Sequence, residues 1–183
     1  SDTTLAPNRF QKMQQYQRIN HFPGMCALAH KHNLCRNLKK MQKQFNEIYE
    51  FFPKTWILPA DSSDLKNQFS PNKSKTFIVK PVANCQGRGI YLTREYEKIN
   101  QKNGEQYVVQ RYMHKPFLID GLKFDMRIYV LVYGVDPLRI FVYREGLARF
   151  ATEKYEAPVK SNMENMFMHL TNYAINKNNE NFE

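Results

Sequence analysis

The stretch KPVANCQGRGI, residues 80 to 90, leaves the apolar run TFIV and places a glycine on each side of Arg88. Glycines let the backbone approach a ligand and expose its N–H groups, while Lys80 and Arg88 add positive charge, a combination suited to phosphate. A hairpin turn with two solvated basic residues satisfies the same pattern. The spacing is neither GxxxxGK followed by Ser or Thr nor GxGxxG, so those two nucleotide folds are not indicated. In GLKFDMRIYV, Lys123, Asp125 and Arg127 stand at i, i+2 and i+4 of a predicted strand and share one face, with Phe124, Met126 and Ile128 on the other, core side. Facing a cleft, such a row can hold a phosphate through Lys123, a ribose hydroxyl through Asp125 and a transferring phosphoryl group through Arg127. An exposed strand face with cross-strand ion pairs is the alternative. VVQRYM interrupts apolar residues with Gln110 and Arg111, as a linker offering groups to an adenine edge would, or as a strand end before Pro116 would. In HLTNYAINK, Thr171 and Asn172 either contact a ligand or cap the next helix.

The elements that must position these groups change character near Pro53. Before it, Leu34, Leu38, Met41, Phe45 and Ile48 recur at helical spacing, predicting an amphipathic helix with Arg36, Lys39, Lys40 and Lys43 turned away. After it come short β-type runs, TWIL, TFIVK, GIYL and YVVQRY; SSDLKNQFSPNKS reads as a short helix and loop, and TREYEKINQKNG as a helix ending at Gly104. RIYVLVYG and LRIFVYR, separated by Val-Asp-Pro, predict an antiparallel hairpin. From Thr152 onward the chain reads as loop with a short apolar run at Met166 to Leu170. The expected boundaries are therefore a helical, basic region over 1–52, a central lobe over 53–115 and the first part of a second lobe over 116–183.

The chain has 183 residues, 42% hydrophobic, enough for a sizeable core, and its formal net charge of +10 favours an acidic partner. Three cysteines, Cys26, Cys35 and Cys85, without a CxxC pair argue for a reducing compartment rather than a disulfide framework. No run approaches the roughly 18 apolar residues of a membrane helix, and SDTTLAPNRF is no signal peptide. Cys26, His30, His32 and Cys35 resemble a metal cluster in composition, but on one helix His32 turns away from the Cys26–His30 face and paired ligand spacing is missing. The Arg36–Lys43 face lacks the interleaved aromatics of a nucleic-acid surface.

Taken in order, KPVANCQGRGI, VVQRYM, GLKFDMRIYVLV, REGLARFATEKY and HLTNYAINK resemble the tubulin tyrosine ligase-like proteins, which are ATP-grasp amino acid ligases. NHFPGM and FPKTWILPAD are similar to the polyglutamylase branch, and the resemblance runs from about Asn8 to Lys177. It implies an α+β, ATP-grasp-like fold, incomplete here because the final part of the second lobe is not in this chain. It implies that Lys80, Gln86 and Gly87 contact ATP, with Gln110, Arg111, Tyr112 and Met113 at the adenine hinge. Lys123, Phe124 and Asp125 would hold phosphate and ribose, and Thr171 and Asn172 would complete the nucleotide pocket. Arg88 is expected at the acidic tubulin tail, Arg149 and Tyr173 near the incoming glutamate, and Arg127 at the phosphoryl and acylphosphate oxygens.

The implied cofactors are ATP and Mg²⁺, with the metal ligands expected beyond residue 183, so that this segment alone is expected to be inactive. Asp120 and Asp125 are not expected to replace them, and Ala174 stands where a serine hydroxyl is expected. The implied partners are the acidic tails of tubulin in microtubules and free glutamate, without membrane or nucleic acid. The implied location is cytoplasm and cytoskeleton, at a cilium or basal body. A non-catalytic, ATP-grasp-derived module bound to microtubules or another assembly is the second expectation.

Overall fold

Short runs rich in β-branched and aromatic residues form the strands that the alternation predicts. In the computed structural model, which describes residues 7–69, 75–82, 87–99 and 105–182, three helices come first: α1 (Pro7–Gln11), α2 (Cys26–Ala29) and α3 (Lys31–Gln44). There follow β1 (Thr55–Leu58), α4 (Ser62–Lys66), β2 (Phe77–Pro81), β3 (Tyr91–Thr93) and β4 (Tyr107–Arg111). The second half holds β5 (Leu118–Ile119), β6 (Leu122–Val135), β7 (Leu138–Lys154), α5 (Met166–His169) and α6 (Tyr173–Asn176). The architecture is mixed α and β with two antiparallel sheets, one in the order β1-β4-β2-β3 and one in the order β5-β6-β7.

Alternation along β2 and β4 gives the first sheet two different faces. Phe77, Val79, Tyr107 and Val109 point to one side and pack with Trp56, Leu58 and Leu65 into the main core. Each such fully buried side chain contributes about 1.5–3 kcal/mol. Phe69 stacks on Phe77 at 4.4 Å between ring centroids, and the Trp56 Nε1–H donates to Asp64 Oδ2 at 2.7 Å, so the one polar atom of that indole is satisfied. Ile78 and Tyr112 point to the other side, where they meet Leu92 and Leu170. The second face carries the candidate site.

The helix α3 is shorter than its apolar stripe predicts. It stops at Gln44 because Phe45 leaves the helical region (φ −135, ψ 63) while its N–H still bonds Met41 O, and Phe45 and Ile48 are exposed. Leu34, Leu38 and Met41 are half-buried, and Cys35 is the fully buried residue of this helix. Lys39, expected to turn away with Arg36, Lys40 and Lys43, instead bonds Asp61 Oδ2 at 2.8 Å, and Asp61 also accepts from Ile57 N at 2.8 Å. Burial opposes ionisation of Asp61, but the Lys39 ammonium and the Ile57 amide outweigh it and hold the carboxyl below its usual range. This pins α3 against β1. The predicted helix in TREYEKINQKNG is a single 3-10 turn, Tyr96–Lys98, and its expected end at Gly104 lies outside the described residues.

The β6–β7 hairpin turns at Asp136–Pro137 and pairs Asp125 with Arg149 and Arg127 with Leu147 across the strands. Gly146 is required here: a Cβ would lie 2.6 Å from the Arg127 carbonyl oxygen. The strand alternates as expected, but the apolar face is not core among the described residues. Phe124 is half-buried, its ring 5.6 Å from that of Phe150, whereas Met126 is 67% and Ile128 56% exposed, because nothing described packs on that part of the hairpin. The two sheets are stitched together near its base, where Arg94 beside β3 donates to Thr76 Oγ1 at 3.0 Å and to the Pro158 carbonyl. Among the described residues no helix is long and apolar enough to cross a membrane.

Candidate functional site

Lys80 sits at the end of β2 on the face shared with Ile78, and Lys123 at the start of β6, so two strands of different sheets bring two ammonium groups into one hollow of about 430 Å³. Gly87, His169, Thr171, Asn172 and Lys31, the first residue of α3, also line it. Lys80 Nζ donates to Gln110 Oε1 at 2.5 Å, and Gln110 Nε2 donates to Thr55 Oγ1 at 3.0 Å, which fixes the lysine against the sheet. Lys123 Nζ donates to the Tyr112 hydroxyl at 3.0 Å and to the His169 carbonyl at 2.8 Å, and lies 4.5 Å from the Tyr112 ring centroid.

The electrostatics are those of a site short of negative charge. Burial pushes Lys80 down, with repulsion from Lys31 second. Lys123 is pushed down to about 8 by burial and then by Lys80, against a smaller opposite effect of Asp125. Each lysine makes the other costlier to ionise, and an anion between them relieves both.

Gly87 reaches the hollow in a left-handed conformation (φ +86), and a Cβ there would lie 2.7 Å from Ile175 Cδ1 and 3.2 Å from Asn172 Cγ. The glycine therefore lets the loop seat on α6. Gly87→Ala is expected to destabilise the protein by about 1–2 kcal/mol through the left-handed backbone, read as a lowered Tm; an unchanged Tm would mean that the loop relaxes freely.

A second, larger hollow of about 890 Å³ adjoins the first, lined among others by Arg127, Tyr129, Leu147, Arg149, Thr171 and Tyr173. Thr171 lines both. Here Arg149 donates Nε–H to Asp125 Oδ1 at 2.7 Å and Nη2–H to Asp125 Oδ2 at 2.5 Å, a two-pronged pair whose hydrogen bonds raise the Arg149 pKa. Arg127 is exposed, with no hydrogen-bond or ionic partner among the described residues. Tyr173 is 60% exposed beside Phe182.

The expected site residues thus fall into groups. Lys80, Gly87, Lys123, Thr171 and Asn172 come together, with Gln110 and Tyr112 bonded directly behind the lysines. Arg127, Arg149 and Tyr173 line the neighbouring hollow rather than the same one. Arg88 is exposed at the turn, and Met113 is 64% exposed. The Arg111 side chain lies on the opposite, core side of β4, 5.7 Å over the Phe77 ring, with Nη1 buried and unpartnered among the described residues. Phe124 points away from Lys123 toward Phe117 and Phe150. Gln86, like Cys85, lies outside the described residues. Sequence reasoning passed over Lys31 and His169. The first carries no signal beyond its charge, whereas the second stands at the head of HLTNYAINK within the apolar run Met166–Leu170, the one feature of the sequence that bears on its burial.

Among the described residues no three His, Cys, Asp or Glu side chains are grouped to hold a metal. Asp125 is committed to Arg149, and Asp120 lies at the β5–β6 turn with φ 51.

A hollow lined by converging lysines meets, at Thr171, a second hollow lined by arginines, an arrangement whose charge suits anionic groups. The model of the tubulin-tyrosine ligase family matches residues 10–183, and the chain belongs to that family. It is 60% identical over 185 residues to a probable beta-tubulin polyglutamylase of Tetrahymena thermophila, covering 100% of this chain and 15% of that protein. It is 53% identical over 182 residues to the mouse tubulin polyglutamylase TTLL13 and 52% identical over 182 residues to the human tubulin polyglutamylase TTLL6, again across 100% of this chain and 22% and 20% of theirs. The chain therefore spans about a fifth of the length of these relatives or less.

Proposed function

We propose that this chain is the nucleotide-binding front portion of an ATP-dependent ligase that adds glutamate to glutamate side chains of tubulin tails. The observation that carries the reading is the junction of the two hollows at Thr171: Lys80, Lys123 and Lys31 on the polyphosphate side, Arg127 and Arg149 on the carboxylate side. The relatives named as tubulin polyglutamylases support it. Lys80 and Lys123 bind the triphosphate, Gln110, Tyr112 and Met113 edge the adenine, Asp125 takes the ribose while still paired with Arg149, and Arg88 with the net charge of +10 attracts the acidic tail. A tail carboxylate oxygen attacks the γ-phosphorus, ADP leaves, and the resulting acylphosphate is attacked at carbon by the amine of free glutamate. The products are an amide, inorganic phosphate and a released proton. Arg127 neutralises the phosphoryl oxygens and Arg149 grips the incoming carboxylate, so the catalysis is positioning and charge stabilisation.

Mg²⁺, which ATP-dependent phosphoryl transfer ordinarily uses to neutralise phosphate charge, has no ligand set among the described residues. The exposed apolar residues of the β6–β7 hairpin support the reading of an incomplete ATP-grasp-like lobe, and the proposed boundaries lie near residues 52 and 115. The site of action on this reading is the cytoskeleton, with cilium or basal body as the setting.

Incubating the longest natural form with ATP, Mg²⁺, microtubules and labelled glutamate or glycine tests this directly. Glutamate incorporation is expected; glycine incorporation would reassign the donor. ATP or microtubule binding without incorporation of either would favour a non-catalytic module.

Because Lys123 is half-ionised near pH 8, a bound triphosphate that favours its ammonium form should take up protons there. ATP affinity is expected to fall as pH rises from 8 to 9, and calorimetry in buffers of different ionisation enthalpy should register the uptake. The free protein should show the opposite slope: an unfolded lysine stays charged to about 10.5, so stability rises with pH between about 8 and 10.5 as the native ammonium discharges. ATP affinity flat to pH 9.5 would remove Lys123 from phosphate binding.

A further inference from the structure

His169 is wholly buried at the end of α5, yet the mechanism above gives it nothing to do. Its surroundings determine its hydrogen-bonding roles. Nε2 lies 3.1 Å from the Asn162 carbonyl oxygen, which can only accept, so Nε2 carries the hydrogen. Nδ1 is then a bare acceptor, and the group 3.0 Å from it is the Tyr112 hydroxyl, which donates to it rather than to the neighbouring Tyr155 hydroxyl because Nδ1 has no other hydrogen to accept. With its proton turned to His169, the Tyr112 oxygen offers lone pairs to Lys123 Nζ at 3.0 Å, and the His169 carbonyl accepts a second ammonium hydrogen at 2.8 Å. Two of the three hydrogens of Lys123 are thereby used. The third remains for the hollow that Lys123 lines with Lys80.

The rings are set to hold this arrangement. Tyr112 and Tyr155 each meet His169 edge to face, at 5.6 and 5.8 Å between centroids, and Tyr155 is itself tied to the His114 carbonyl at 2.9 Å. The groups facing His169 are therefore Tyr112 at the end of β4, Lys123 on β6, Tyr155 after β7 and the Asn162 carbonyl. No acid is among them. Burial lowers the basicity of His169 and the Lys123 charge lowers it further, against the Asn162 bond, which keeps Nδ1 free to accept. A protonated imidazole would turn a second hydrogen on the Tyr112 hydroxyl and place another cation beside Lys123.

We propose that His169 is a positioning residue for polyphosphate binding: as the neutral Nε2–H tautomer it takes the Tyr112 proton, and with its own carbonyl it fixes the Lys123 ammonium so that one N–H faces the hollow. The inference rests on reading that hollow as the triphosphate site. It links the predicted adenine hinge, through Tyr112, to the phosphate contact on the other sheet. A ligand ordering the hinge therefore also orients the ammonium.

The two ring nitrogens can be tested separately in the longest natural form, with ATP as the probe. His169→Asn keeps an acceptor where Nδ1 stands and loses the Asn162 tether; His169→Gln keeps a donor where Nε2 stands and loses the acceptor for Tyr112. His169→Gln and Tyr112→Phe are each expected to weaken ATP binding about tenfold, with glutamate KM moved less than threefold. The double variant should be no worse than either single one, because both break the same bond pair. His169→Asn should stay within about threefold of wild type. Equal losses in His169→Asn and His169→Gln, additive losses in the double variant, or wild-type ATP binding by Tyr112→Phe would each overturn the proposal. If a His169 variant fails to fold, Tyr112→Phe alone decides it by the same ATP-against-glutamate split. Wild-type protein that binds no ATP removes the underlying site reading along with the inference, whereas ATP binding that ignores these substitutions removes the inference alone.

Discussion

Arg127→Ala in the longest natural form is expected to cut glutamate incorporation by about 10²–10³, the scale of losing one preorganised charge contact to a transition state, with Tm and ATP affinity unchanged. Arg127 contributes little to the fold: it is exposed on β6 and has no partner among the described residues. A guanidinium lining the second hollow without a counter-charge among the described residues is worth most where negative charge develops during a reaction. Melting and ATP titration separate this from a folding defect. Turnover at the wild-type rate would remove Arg127 from the chemistry, and loss of ATP affinity by the same factor would place it at the ground-state phosphates.

Arg149 should behave differently. Arg149→Ala is expected to raise the KM for glutamate by roughly 30- to 150-fold, corresponding to about 2–3 kcal/mol for a lost charge-assisted pair, while ATP KM moves little. Its guanidinium is already shared with Asp125 through two hydrogen bonds, so the substrate carboxylate must either join that pair or displace Asp125 from it. Arg149→Lys keeps the charge but not the fork and should recover only part of the loss. Steady-state kinetics with varied glutamate at saturating ATP reads this split; an unchanged glutamate KM with intact ATP binding refutes the role. Asp125→Asn checks whether the existing pair restrains the arginine, since freeing it should lower the glutamate KM.

The short strands were legible because Thr, Val, Ile and Tyr at period two leave little else for TWIL or YVVQR to be, and the Val-Asp-Pro break named the hairpin turn. The shared face of Lys123, Asp125 and Arg127 followed from the same period. Which side of that strand would be covered did not follow. Alternation gives the direction of Met126 and Ile128 but not the presence of something packed against them, and both are exposed. Likewise β4 reads as one strand in sequence, yet its two faces send Gln110 to the lysine hollow and Arg111 to the aromatic core, a division visible only once the β2 partner is known. Lys39 failed as a solvated residue because its partner, Asp61, is distant in sequence. His169 stands within HLTNYAINK, but its role is not set by its sequence neighbours: only the spatial neighbours Tyr112 and Asn162 give its ring an orientation.

One threonine, Thr171, forms part of both compartments, and this has a consequence for engineering. On the proposed assignment of the two hollows, a bulkier side chain at that position would narrow the room for nucleotide and for donor amino acid at once, and a smaller one would enlarge both. Selectivity for the two molecules is thus mechanically yoked, and an attempt to retune one alone should begin away from this partition.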